Sequence, residues 1–116
     1  MNITERSDIM LQQSKIIMVP HEYKELILDI SIEYYLLYEK QITKESPDVN
    51  VITFCNAMGF IKKRIERAND GDFPIEYNWA VSLVDAVSDK YPNDGQRYPD
   101  EVEKLKGFLK EQTGRA

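Results

Sequence analysis

The stretch from Pro20 to Lys44 contains no internal glycine and no proline after its first residue, and it is the most apolar breaker-free run in the chain. A run of that length constrains the fold more than any other feature, because it is far longer than a typical strand and so predicts one long helix over 20–45. At about 100° per residue, Tyr23, Leu26, Ile27, Ile30, Tyr34, Leu37 and Tyr38 share a broad arc, while Leu28, Ile32, Tyr35 and Ile42 cover much of the opposite side. A helix apolar on two sides is expected at the centre of its domain. The narrow gap between the two faces holds Glu22, Glu25, Asp29 and Glu33, whose spacing aligns four carboxylates along one exposed stripe.

Proline, glycine and capping residues divide the rest of the chain. Ser7-Asp8 reads as the opening of a helix over 7–18, although the β-branched run Ile16-Ile17-Met18-Val19 also suits a strand. Ser46-Pro47-Asp48 reads as cap, first-turn proline and first-turn acid of a helix over 47–69, with Val51, Phe54, Cys55, Met58, Ile61, Ile65 and Ala68 inward. Gly59 lies within that helix, as at a close helix crossing. Asn69-Asp70-Gly71-Asp72 ends it, and Phe73-Pro74 extends the chain before a helix over 77–90 with Trp79, Ala80, Leu83, Val84 and Val87 inward. Tyr91-Pro92-Asn93-Asp94-Gly95 is a stop and turn. A last helix over 99–113 carries Val102, Leu105, Phe108 and Leu109 on its inner stripe, with Gly114 as its terminator. The expected architecture is an all-α single domain spanning 1–116, a bundle of four to five helices around the long one.

Composition narrows the chemistry. The net charge of −5 and pI near 4.9 disfavour sequence-independent nucleic-acid binding and suit a basic partner. Residues 1–46 carry five Lys/Arg against eight Asp/Glu and residues 73–116 six against eight, whereas 48–72 balance at four each. Lys62, Lys63, Arg64 and Arg67 close the third helix as a solvated face, without the aromatic interleaving of a nucleic-acid patch. His21 is the one histidine and Cys55 the one cysteine, so neither a histidine metal cluster nor a cysteine zinc site can be assembled within the chain. Cys55 sits on an apolar stripe as a structural thiol. No Walker loop, GxGxxG, HExxH or GxSxG is present, and the expectation is a non-enzyme with no catalytic residues, no metal and no cofactor. The longest apolar run is about four residues, and the N-terminus lacks the pattern of a secretory signal; the expected setting is the cytoplasm, with no membrane partner.

Binding is the favoured class. Seven tyrosines supply rigid amphipathic side chains of the kind enriched in interface anchors. Tyr91 and Tyr98 flank the turn among Asp89, Asp94, Asp100 and Glu101, where rings beside carboxylates form a landing place for an Arg/Lys-rich surface. The expected partner-binding residues are Glu22, Glu25, Asp29, Glu33, Tyr91, Asp94, Tyr98 and Asp100.

Tyr91-Pro92-x-x-Gly95, then Pro99 and a helix with Val102, Leu105, Lys106 and Phe108 closed by Gly114, resembles the end of the colicin-type nuclease immunity proteins. The resemblance covers roughly 25 residues of the 116. It implies a small acidic helical cytosolic protein that blocks the basic nuclease domain of a bacteriocin through an acidic helix and tyrosines just before the proline. Tyr91 matches the second tyrosine, Lys90 stands where the family has its first, and Val87 stands where it has an acid. The leading expectation is therefore an immunity or inhibitor protein against a basic nuclease-type toxin, acting as a monomer or homodimer. The alternative is a structural or regulatory adaptor, for example of a mobile element, that self-associates or joins a larger assembly. A DNA-binding regulator using Lys62 to Arg67 is the third expectation.

Overall fold

A computed structural model describes residues 15–42 and 48–115. In chain order these form a strand β1 (Ile16–Val19), a 3₁₀ turn (His21–Tyr23) and helix α1 (Lys24–Ile42). Helix α2 (Val49–Arg67), strand β2 (Phe73–Glu76), helix α3 (Tyr77–Lys90) and helix α4 (Asp100–Thr113) follow. The protein is mainly helical, but it is not strictly all-α.

The helix expected over 7–18 is replaced at its described end by β1, and residues 7–14 lie outside the described part. β1 and β2 pair antiparallel, with Ile17 opposite Ile75 and Val19 opposite Phe73. All four of these side chains are buried, while Ile16 and Met18 point outward at 55% and 56% exposure. That period of two is what four β-branched and apolar residues adopt when one face is covered. Pro74 sits opposite Met18 at the edge of the pair, where a missing N–H is tolerated. The ladder runs on through the Tyr77 N–H, which donates to the Lys15 carbonyl at 2.9 Å. Two strands alone do not hold a sheet in water. Here α2 and α3 cover the inner face.

Pro20 does not open the long helix. Its ψ of 140° is extended, and α1 proper begins at Lys24 after the 3₁₀ turn. The His21 N–H, an orphan donor at that entry, donates to Asp72 Oδ1 at 2.9 Å, so a loop more than 50 residues away caps it. Asp72 is held below the usual carboxylate range, first by this backbone hydrogen bond and then by the His21 ring. At the start of α2 the cap is Asp48, which accepts from the Asn50 N–H at 2.7 Å; Ser46 and Pro47, expected there, lie outside the described residues. Gly114 terminates α4 with φ at 71°, as its position suggests.

Helix α1 lies chiefly along α2 and buries Ile27, Ile30, Ser31 and Tyr34. Its opposite side is only half covered, and Leu37, expected on the inner arc, is exposed at 57%, as is Leu36 at 53%, because the arc is wider than the surface its neighbours cover. The hub is instead α3, which packs against α1, α2, α4, β1 and β2 and buries Ala80, Ser82, Leu83, Val84, Ala86 and Val87. Small residues on α3 let so many neighbours approach it. A period count on α1 registers apolar residues but not which of them a neighbour reaches. The close crossing at Gly59 is present: a Cβ there would stand 3.3 Å from the Tyr35 ring. Trp79 is half-buried at the rim rather than inside, stacked on Phe60 with centroids 5.3 Å apart and with the Arg64 guanidinium 5.3 Å from its ring.

Candidate functional site

The four carboxylates of the expected stripe, Glu22, Glu25, Asp29 and Glu33, are all exposed. Burial of Tyr23, Ile27, Ile30 and Tyr34 fixes the rotation of the chain about this axis and leaves the stripe facing water. A hollow of about 360 Å³ at the start of α1 is lined by Glu22, Glu25, His21 and Asp70, and Glu101 from the first turn of α4 joins them. Glu101 lies 76 positions from Glu25 in the chain, so no spacing argument on α1 could add it to the stripe.

Cations near the stripe are already engaged. Lys24, which also lines the hollow, donates to the Ala68 carbonyl at 3.0 Å and to the Asn69 carbonyl, where it satisfies acceptors just past the end of α2. Lys90 pairs with Glu33, and this hydrogen bond is the largest cause of its raised pKa. None of the ion pairs between described residues uses Glu22, Glu25, Asp29 or Glu101.

The same Lys90 joins the stripe to the turn. Its ammonium lies 5.9 Å from the Tyr91 ring, and Tyr91 meets Tyr98 edge to face with centroids 5.2 Å apart. The structure thus brings the two expected patches together at one point, Glu33–Lys90–Tyr91. Within the turn the polar groups largely satisfy one another. The Tyr98 hydroxyl donates to the Pro92 carbonyl at 2.9 Å, and Asp94 Oδ1 accepts from the Gln96 N–H at 3.1 Å. Lys106 reaches over from α4 to the Tyr91 carbonyl at 2.8 Å and Asn93 Oδ1 at 2.6 Å, and lies 5.2 Å from the Tyr98 ring. Loss of water contact and then the Asp94 charge push the Tyr98 phenol pKa up. Asp94 is therefore part of the turn's own bonding, whereas Asp100 is exposed in the first turn of α4. Both rings are half-buried, each with an edge to water.

No protein-family model, curated protein or solved structure matches this chain. Cys55 is buried, and burial pushes its thiol pKa up, away from the reactive thiolate. Among the described residues no group of three or more His, Cys, Asp and Glu could hold a metal ion, and no helix is long and apolar enough to cross a membrane.

A second concavity lies beside the Lys90–Glu33 pair, between α1, the start of α2 and the end of α3. It measures about 320 Å³ and is walled by Tyr34, Tyr38 and Phe54, with Asp85 and Asp89 at its rim. Tyr34 and Tyr38 belong to the apolar arc of α1, and their meeting with the aspartates of α3 depends on how the two helices pack. The i,i+4 spacing of Asp85 and Asp89 was the available signal.

Proposed function

We propose that this chain is a non-enzymatic protein-binding module that neutralises a basic protein partner, in the manner of an immunity or inhibitor protein against a nuclease-type toxin. The observation that carries this reading is the set of exposed carboxylates, Glu22, Glu25, Asp29 and Glu101, which form no ion pair with another described residue, while Lys24 and Lys90 are tied down. Such a surface steers a positively charged protein toward it and rejects an acidic one or a phosphate backbone. Tyr91 and Tyr98, next to the stripe, supply the apolar contact that charge alone lacks. The pairing of Lys90 with Glu33 also bears on the resemblance to the nuclease immunity proteins, because the lysine at the place of the family's first tyrosine is neutralised from within.

The test is capture from source-cell lysate, nuclease-treated, followed by assay of the purified captured protein. A single basic protein whose activity falls with stoichiometric addition supports the reading. Capture of nothing, or of acidic proteins alone, contradicts it.

The exposed Leu36 and Leu37 favour a second reading, a structural or regulatory adaptor that self-associates through α1. Sedimentation equilibrium separates the two, since Leu36→Lys with Leu37→Lys would dissociate an adaptor and leave an inhibitor's partner binding unchanged.

A further inference from the structure

We infer that the concavity between Tyr34, Tyr38, Phe54, Asp85 and Asp89 is a receptor for a single arginine side chain presented by a partner protein. Three rings form the walls. Phe54 meets Tyr38 edge to face at 5.3 Å and Tyr34 at 6.0 Å, while Tyr34 and Tyr38 lie nearly parallel at 6.4 Å. All three rings line the hollow, and a guanidinium is a group that stacks on aromatic rings while keeping its in-plane N–H donors free.

The rim supplies acceptors for those donors. Tyr34, itself buried, donates its hydroxyl to Asp89 Oδ2 at 2.6 Å, which fixes the Asp89 carboxylate and leaves its other oxygen available. Burial first, and then the Asp89 hydrogen bond and charge, raise the Tyr34 pKa, so the phenol remains a donor and Asp89 remains an acceptor. Asp85 stands one turn earlier, exposed and outside every hydrogen bond and ion pair between described residues. Both aspartates lie in the last two turns of α3, where the negative end of the helix dipole adds to their attraction for a cation. Among the described residues that line the hollow, Asp85 and Asp89 are the charged ones. An anion would meet carboxylates and aromatic rings, and an uncharged apolar group would leave Asp85 and Asp89 unanswered.

The source of the arginine rests on the proposed function. Glu33 and Tyr34 are neighbours on α1, as Lys90 and Asp89 are on α3, so the Glu33–Lys90 and Tyr34–Asp89 bridges lie side by side. The hollow therefore begins where the acidic stripe ends. A basic protein drawn to the stripe would meet it with an exposed arginine.

The experiment titrates the purified full-length chain with N-acetyl-arginine amide, with the lysine and norleucine amides as controls, following aromatic side-chain resonances. The expected result is a saturable response to the arginine probe centred on Tyr34, Tyr38 and Phe54, weaker with lysine and absent with norleucine. Asp85→Asn, a change at an exposed and unpaired group, should weaken arginine binding by about two- to fivefold with the free-state spectrum otherwise intact. No saturable response, an equal response to lysine, or an Asp85→Asn variant that binds as tightly as the parent would each overturn the assignment. Because no partner enters the titration, a negative result removes the arginine receptor without touching the stripe. Failure to find a basic partner likewise leaves a positive titration standing.

Discussion

Ser31 is fully buried on the inner face of α1, and its hydroxyl finds no hydrogen-bond partner among the described residues. A lost donor and acceptor in a low-dielectric interior costs stability, and serine is a poorer helix former than alanine. Ser31→Ala is therefore expected to raise the unfolding free energy by about 1 kcal/mol in urea titration, contrary to the usual direction of a buried substitution. Asp72 works through ionisation. It loses its proton more readily in the folded chain than in the unfolded one, so its contribution is complete above its ordinary value of 3.8 and drains away as pH falls through the lower folded value. Asp72→Ala should be less stable than the parent at pH 7, with the gap closing as both are acidified below that value. A gap that persists unchanged at low pH would mean the carboxylate charge is not what caps the entry to α1.

At the scale of elements, the short sheet was the hardest feature to read. Ile16 to Val19 has the β-branched content of a strand, but the residues that pair with it lie 54 to 60 positions on and include a proline, so nothing local announces the ladder. Helices α3 and α4 were legible almost to the residue, because turn chemistry at Tyr91-Pro92 and Gly114 marks their ends and an apolar stripe marks their inner faces. The exposed carboxylates of α1 were legible for the same reason. Glu101, the Lys90–Glu33 pair and the hollow at Tyr34 were not, since each depends on which helices meet. The strand carries its own prediction. Ile17→Ala should cost about 2–4 kcal/mol, because its side chain is 1% exposed between Ile75 and the helices, whereas Met18→Lys, on the outward face, should stay within about 0.5 kcal/mol of the parent. Equal costs at the two positions would argue against this register. At the crossing of α1 and α2, Gly59→Ala gains helix propensity but sets its methyl 3.3 Å from Tyr35, so the gain should fall short of the full 1 kcal/mol or so expected in an open helix.

For the whole molecule, charge is arranged rather than merely present in excess. The net charge is −5, and Glu22, Glu25, Asp70 and Glu101 share one hollow where α1 and α4 begin, while Lys106 holds the tyrosine turn closed. Clustered like charges repel one another, so this surface opposes folding slightly. Reversing it separates folding from binding. Glu25→Lys with Asp29→Lys should leave stability within about 0.5 kcal/mol of the parent, or raise it at low salt, because both side chains are exposed and neither forms an ion pair with another described residue. Association with a basic partner should meanwhile slow, and the dependence of its rate on salt should flatten, since the steering field is weakened at its source. Stopped-flow association across a salt series, beside urea unfolding of the same variant, reads both quantities. A variant that folds as well as the parent and binds as fast, with the same salt dependence, would remove the stripe from the binding surface. A variant that unfolds readily would instead make the stripe structural, with its carboxylates serving the entry to α1 rather than a partner.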